Sequence, residues 1–248
     1  MKFYIIQSGS KGNATILEHN NRLLLIDDGI SFISIKSALE SLNFNIMNVE
    51  ALLITHEHSD HTKGIKYLPP LPIYTKEGTY DGDNVNYIDY FKPFELIGLK
   101  ITPLLTSHDA INPCGFLFEN QDEKLVYMTD TGYIPELSLD YMNNADYYII
   151  ESNHDVNMQL DSNRPAQLIN RILSDEGHLS NVDSASYMAS LVGQRTKQIF
   201  LAHISQDANT PEIALSTYKK IFKKKHINLD NIEIICTSQT KMVKGGKK

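Results

Sequence analysis

Cysteine is scarce in this sequence, and long apolar runs are absent from it. The 248-residue chain has two cysteines, Cys114 and Cys236, which lie far apart and belong to no metal-binding motif. We therefore expect neither a disulfide framework nor a cysteine-based zinc site. No stretch reaches the roughly 18 apolar residues of a membrane-spanning helix, and the first apolar run is too short for a signal peptide. These absences predict a cytoplasmic protein without a membrane partner.

The chain also lacks the spacing of a P-loop and a G-x-G-x-x-G motif, so no nucleotide cofactor is indicated. The net charge of −7 is unevenly distributed along the chain. Nine lysines from Lys219 onward stand against two acids, which gives this end a charge of +7 and the rest −14. Such an end is suited to phosphate contacts, although a lysine run is more often a solvated helix face.

Short apolar segments separated by turn signals predict strands along most of the chain, and helical periodicity returns in its last third. The order of the elements predicts two sheets stacked face to face with helices outside, an α/β plan. A hydrophobic content of 42% is sufficient for a substantial core. No linker, low-complexity segment or repeat is visible, so we expect a single domain over residues 1–248.

A cluster of titratable side chains follows the buried strand "EALLIT". The segment "ITHEHSDHTKGI" places His56, His58, Asp60 and His61 within six positions. Imidazole and carboxylate groups are the usual nitrogen and oxygen ligands of Zn²⁺, and a loop leaving a strand end can direct several of them toward one point. The segment therefore predicts parts of two metal sites.

These residues complete the H-x-H-x-D-H motif, and the chain resembles the metallo-β-lactamase-fold superfamily. Other landmarks of that superfamily follow in order, at predicted strand ends: "LLLIDDG", "TSHDA", "MTDTG" and "FLAHIS". The resemblance implies a four-layer αββα sandwich and a binuclear metal centre. It implies Asp27 as a structural aspartate and seven metal ligands: His56, His58 and His108 at one site, Asp60, His61 and His203 at the other, and Asp130 bridging both.

Two further segments, "ESNHD" and "LSDEGHLSN", supply Glu151 and His178, which are residue types suited to proton transfer. They resemble loops of the phosphodiesterase branch, in which a glutamate orients a histidine that protonates the leaving oxygen. The whole set, together with "SGSKGN", resembles the WalJ/YycJ family of bacterial metallohydrolases, regarded as DNA exonucleases. The chain departs from that family at "DDG", where Asp28 replaces the usual alanine, and we expect this change to lie away from the ligands.

The predicted function is metal-dependent hydrolysis of phosphodiester bonds, with Asp60, Glu151 and His178 as catalytic groups. By family resemblance the substrate is double-stranded DNA, degraded in the 5′→3′ direction. The chain has no room for a β-CASP insertion. The alternatives are a small-molecule metallohydrolase, either a glyoxalase II-like thioesterase or a cyclic phosphodiesterase, an RNA-processing nuclease, and a non-catalytic metal-binding scaffold.

The predicted cofactor is a pair of divalent metal ions that together activate a hydroxide nucleophile. The histidine-rich ligand set favours Zn²⁺, and Mn²⁺ is the alternative. Small and polar residues beside the motifs are candidates for lining a substrate cleft: Ser8, Ser10, Asn13, Asn153 and His154. The nucleic-acid partner is expected to be DNA, and the sequence leaves the oligomeric state open.

Overall fold

A computed structural model describes residues 1–247, which divide into two compact units. The first unit comprises Met1–Pro103, Ala110–Cys114 and the segment from Thr237 onward. The second comprises Leu104–Asp109 and Gly115–Cys236. Lys248, the last of the C-terminal lysines, lies outside the described residues.

The described residues form strands and helices throughout both units. The strands are β1 Lys2–Gln7, β2 Ala14–His19, β3 Arg22–Ile26, β4 Val49–Leu53, β5 Ile73–Thr75, β6 Val85–Tyr87, β7 Phe94–Leu96, β8 Leu99–Leu105, β9 Cys114–Glu119, β10 Lys124–Met128, β11 Tyr147–Glu151, β12 Gln198–Ala202, β13 Glu233–Cys236 and β14 Val243–Gly246. The α-helices are α1 Phe32–Ser41, α2 Ser59–Thr62, α3 Glu136–Met142, α4 Val156–Leu160, α5 Ala166–Ile172, α6 Asn181–Leu191 and α7 Pro211–Lys224.

The first unit contains a mixed sheet with the strand order β14-β1-β2-β3-β4-β5-β6. Strands β3 and β4 are parallel, and their last residues, Ile26 and Leu53, are partners in the register. The segments that follow β3 and β4 therefore leave the sheet at the same edge, and these segments carry Asp27 and the histidine motif. Both strands are buried except at Arg22 and Glu50, and all their other residues are apolar.

The second unit contains a mixed sheet in which β13, β12, β11, β10 and β9 are neighbours in that order. Strands β10, β11 and β12 run parallel, with Met128 opposite Ile150 and Glu151 opposite Ala202. Their C-terminal ends lie at one edge of this sheet. In parallel sheets this edge is where ligands bind, because the following loops emerge there together.

Two helices of the second unit begin at local capping signals. Ser180 caps α6 and accepts a hydrogen bond from the Asp183 amide, while Thr210 caps α7, which starts with a proline. The buried face of α7 carries Tyr218 and Phe222, and the Tyr218 hydroxyl lies 2.6 Å from Ser184 Oγ of α6. The lysines of α7 are exposed to solvent. Among residues 1–247, no helix combines the length and apolar character needed to cross a bilayer.

Candidate metal centre and proton-transfer groups

The histidine motif of the first unit forms a compact group of imidazoles just after β4. The ring centroids of His56 and His58 are 4.6 Å apart, and those of His56 and His61 are 4.0 Å apart. Asp60 and His61 lie on the single turn of α2, which begins one residue after His58. The local backbone therefore brings these side chains close together.

Asp27 orients His61. The Asp27 carboxylate lies 2.8 Å from His61 Nδ1, and both side chains are fully buried. Because a carboxylate accepts, the proton of a neutral His61 lies on Nδ1, which places the lone pair of the ring on Nε2. The Thr55 hydroxyl donates to the same carboxylate at 3.0 Å and lies 3.0 Å from His56 Nδ1. The predicted structural role of Asp27 corresponds to this arrangement.

The "SGSKGN" loop packs against the motif through Asn13. The Asn13 amide nitrogen Nδ2 is 2.9 Å from His61 Nε2, and the Asn13 backbone N–H donates to the carbonyl of Asp60 at 2.8 Å. Gly9 N–H in turn donates to Asn13 Oδ1 at 2.8 Å. Of the three candidate cleft residues in this loop, Asn13 therefore contacts the motif, whereas Ser8 is buried with its amide bonded to Ser238 and Ser10 is exposed.

Close backbone packing accounts for two glycines around the motif. A Cβ on Gly29 would lie 1.5 Å from the carbonyl oxygen of Asp60, and one on Gly64 would lie 2.5 Å from Asp28 Oδ1. Asp28 itself donates its backbone N–H to the carbonyl of His61 at 2.8 Å. The backbone at Asp28 therefore contacts the histidine motif, and an alanine at this position would make the same hydrogen bond.

The second unit gathers acids and histidines at the C-terminal edge of β10, β11 and β12. Asp130 and His203 follow β10 and β12 closely, and both adopt positive φ angles, 55° and 54°. Asp130 Oδ1 lies 3.1 Å from His203 Nδ1. Non-glycine residues in this left-handed region are uncommon and concentrate at functional sites.

Glu151, the last residue of β11, is the centre of the hydrogen-bond network in this unit. Its Oε1 lies 2.8 Å from Nδ1 of both His178 and His203. Its Oε2 accepts hydrogen bonds from the backbone N–H groups of Thr131 and Leu179. Burial opposes ionisation, but the charge of His178 and the hydrogen bonds from both imidazoles outweigh it and lower the pKa of Glu151. The carboxylate is therefore ionised at neutral pH and holds two imidazole rings in place.

His178 is directed by Glu151 rather than by the helix that follows it, whose cap is Ser180. Its side chain keeps 14% exposure, and its ring centroid is 5.0 Å from those of His108 and His203. Because Nδ1 faces Glu151, the other ring nitrogen is the one available for proton exchange. The predicted pairing of Glu151 with His178 is therefore present in the geometry.

His108 is held for ligation in the same manner as His61. Its Nδ1 lies 3.0 Å from the carbonyl oxygen of Gly177, so Nδ1 carries the proton and Nε2 the lone pair. Burial lowers the pKa of His108, outweighing the opposing charge of Asp130, so the ring is neutral at pH 7. Asp130, Glu151, His178 and His203 offer ligand atoms within 4.8 Å of one another. Of these, Asp130 and His203 suit a divalent metal with nitrogen and oxygen ligands, while Glu151 supplies the outer hydrogen bond that fixes the ring of His203.

The remaining candidates of the second unit have different surroundings. Asn153 is buried and donates its side-chain amide to the carbonyl of His203 at 2.8 Å, so it supports the His203 backbone. His154 is buried beside the same loop and lines a cleft next to His178. Sequence reasoning missed Thr55 and Thr131, which hold Asp27 and Glu151; the position of each next to a predicted ligand was the available signal.

Comparisons with known proteins agree with the predicted family and fold. The family described as "Beta-lactamase superfamily domain" matches residues 22–204. The exodeoxyribonuclease WalJ of Streptococcus pneumoniae is 38% identical over 231 residues, which cover 87% of this chain and 86% of that protein. The exodeoxyribonuclease YycJ of Bacillus anthracis is 33% identical over 238 residues, covering 91% and 90%.

Solved structures show the same fold at lower identity. The metallo-β-lactamase fold protein YhfI from Bacillus subtilis superimposes with a TM-score of 0.74 at 16% identity, covering 98% of this chain and 99% of that one. The short form of human tRNase Z gives a TM-score of 0.65 at 15% identity, with 98% of each chain covered. The predicted α/β fold class, the αββα sandwich of this superfamily, is confirmed, as is the prediction of a metallohydrolase enzyme. By its family match and its identity to these relatives, the chain belongs to the WalJ/YycJ family of the beta-lactamase superfamily.

Proposed function

We propose that this protein is a metal-dependent phosphodiesterase that acts as a DNA exonuclease. The observation that carries the proposal is the pair formed by His178 and the buried Glu151, whose atoms Nδ1 and Oε1 are 2.8 Å apart. A thiolate leaves without a proton, whereas the alkoxide released from DNA needs one. A positioned acid therefore favours phosphodiester over thioester substrates. The names of the curated relatives support DNA as the substrate.

The metal ligands are proposed from the family motif and from the orientation of the rings. We assign metal binding to His56, His58, Asp60, His61, His108, Asp130 and His203, with two ions per chain. Zn²⁺ suits the imidazoles best, and Mn²⁺ is the alternative. Bound ions would supply Lewis acidity, which lowers the pKa of water toward about 7 and neutralises charge on the phosphoryl oxygens.

Side chains of the protein carry out the proton transfers and position the acid. Asp60, whose side chain keeps 23% exposure, holds or accepts a proton of the attacking water. Glu151 fixes the ring of His178 through the 2.8 Å contact between its Oε1 and His178 Nδ1. His178 then donates its proton to the departing 3′-oxygen. The assignment of a 5′→3′ direction on double-stranded DNA rests on family resemblance. The free thiols of Cys114 and Cys236 support a cytoplasmic location.

The test compares two substrates that differ in their leaving group. His178→Ala should slow DNA cleavage by about 10²- to 10⁴-fold and slow hydrolysis of bis(p-nitrophenyl) phosphate by less than about 10-fold, because nitrophenolate leaves without a proton. His226→Asn is the matched control, since His226 is exposed and its φ of 58° suits asparagine. Metal content is measured for each variant.

Equal losses on both substrates at equal metal content would show that His178 is not the leaving-group acid. Robust hydrolysis of a lactoyl thioester together with such equal losses would favour the glyoxalase II-like alternative. Preferential cleavage of RNA would instead keep the chemistry and change the substrate.

A further inference from the structure

A cleft in the second unit is lined in part by His178. It has a volume of about 660 Å³ and is lined by residues of the loop after β10, of α6 and of the segment before α6. Tyr133, His154, His178 and Tyr187 are among them. The volume is sufficient for one nucleoside or a molecule of similar size.

The position of His178 determines which part of a substrate this cleft can receive. His178 faces Glu151 with Nδ1 and borders the cleft, so a group protonated by His178 leaves next to the cleft. In DNA cleavage that group is the 3′-oxygen of a nucleoside. The sugar and base attached to this oxygen must therefore lie in or near the cleft, a step that rests on the proposed function.

The lining favours an uncharged, flat ligand. Tyr133 is 42% exposed and Leu173 is 36% exposed, and Tyr187 is partly exposed. Exposed aromatic rings of this kind are the usual surfaces on which nucleic-acid bases stack. Two acids, Asp175 and Asp183, also line the cleft, and its lining residues, all within the described part of the chain, include no lysine or arginine. The carboxylates would repel a phosphate, whereas they can accept hydrogen bonds from the hydroxyl and amino groups of a nucleoside.

His154 provides a second, independent indication of a ligand. It lines the cleft and is 1% exposed, and its Nδ1 has no hydrogen-bond partner among residues 1–247. Burial lowers the pKa of His154 to about 4, despite the nearby charge of Glu151, so the ring is neutral at pH 7. Buried polar atoms are rarely left without a partner, and those that are often serve in binding or catalysis.

We infer that this cleft binds the nucleoside whose 3′-oxygen departs, with its base against Tyr187 and Tyr133 and with His154 as a polar contact. The site would position the leaving group under His178. It would also make the cleavage rate depend on the presence of a base on the leaving side of the scissile phosphate and not on the other side.

The test combines an enzyme variant with a substrate lacking one base. End-labelled DNA first identifies the linkage that is cleaved first. The nucleotide that contributes its 3′-oxygen is then replaced by an abasic residue that keeps this oxygen, and a second substrate carries the abasic residue on the other side as a control. Single-turnover rates are measured for the metal-loaded wild type, Tyr187→Ala and Tyr187→Phe.

Loss of stacking on one base predicts that the wild type slows by about 5- to 100-fold on the leaving-side abasic substrate only. Tyr187→Ala should slow by a similar factor on normal DNA, with no further loss on that abasic substrate, and Tyr187→Phe should behave as the wild type. Tyr133→Ala, at a more exposed position, gives the same comparison if Tyr187→Ala does not fold.

A wild type that cleaves both abasic substrates as fast as normal DNA would overturn the inference while leaving the nuclease function intact. The same holds if Tyr187→Ala and Tyr133→Ala slow normal and abasic DNA by equal factors, which would indicate a structural role. Absence of any DNA cleavage by the metal-loaded wild type would overturn the proposed function together with the inference.

Discussion

The buried Asp28 should make the metal-free protein less stable as the pH rises. Its side chain is 0% exposed and lies next to Asp27, whose carboxylate is bound to His61. Burial, and to a lesser extent the charge of Asp27, raise the pKa of Asp28 to about 7. The ordinary aspartate value near 3.9 applies to the unfolded chain.

The sign of the effect follows from proton binding. Between pH 4 and pH 7 the folded protein keeps a proton on Asp28 that the unfolded chain has released, so the free energy of unfolding falls as the pH rises through this window. A difference of about 3 pKa units corresponds to about 4 kcal/mol at pH 8, as an order of magnitude. Above pH 7 the effect is constant.

Asp28→Ala removes this dependence. Loss of the few buried atoms of the carboxyl group should cost about 1–2 kcal/mol at every pH. We therefore expect the variant to be slightly less stable than the wild type near pH 4.5 and about 2–3 kcal/mol more stable at pH 8. Urea unfolding with a chelator present, measured at several pH values, gives the difference curve.

The dependence of this stability difference on pH tests whether Asp28 is a buried, protonated carboxyl group. Glu95→Ala is the control, because Glu95 is exposed on β7 and its removal should give a difference that does not vary with pH. A curve for Asp28→Ala that is flat to within about 1 kcal/mol from pH 4.5 to pH 8 would refute the assignment of a buried, protonated carboxyl.

Two further outcomes are expected. Elemental analysis after reconstitution should find close to two transition-metal ions per wild-type chain, and a content of one ion or fewer would contradict the binuclear proposal. Asp60→Ala should lose one ion and almost all turnover. Ser59→Ala, at an exposed neighbouring position, should retain both ions and the turnover. If the exposed lysines at the end of α7 contact DNA phosphates, replacing Lys223, Lys224 and Lys225 by glutamine should flatten the dependence of DNA binding on salt, and an unchanged slope would identify them as a solvated face.

Local sequence signals predicted most of the elements. The segment "TPEIALSTYKKIFKKK" belongs to the helical periodicity predicted for the last third of the chain. It is observed as the helix Pro211–Lys224, whose start is determined by a threonine cap and a following proline. Strand β14 was not predicted, because its "VKGG" sequence has low strand propensity. The strand forms by pairing with β1, which lies near the other end of the chain. Helix α3 was also missed.

The residues of the candidate site likewise fall into those that local sequence predicted and those that it did not. The residues from His56 to His61 are close together along the chain, so their composition alone indicated a metal site. The contact of Asn13 with His61 joins residues 48 positions apart, and that of Glu151 with His178 joins residues 27 apart. No local pattern encodes such contacts; the first was not anticipated, and the second was predicted only by resemblance to a family.

The backbone conformation at the strand ends is a further physical reason to regard these residues as a functional site. Asp27, Asp130 and His203 have φ angles of 57°, 55° and 54°, a conformation that side chains other than glycine rarely adopt. Each such residue costs on the order of 1 kcal/mol, and it persists where surrounding contacts determine it. Here the contacts are those that orient rings: Asp27 with His61, and Asp130 and Glu151 with His203. The hydrogen bonds that hold the strained backbone are therefore the same ones that fix the imidazole tautomers, so replacing Asp27 or Glu151 would disturb the folding of the strand ends and the ligand geometry together.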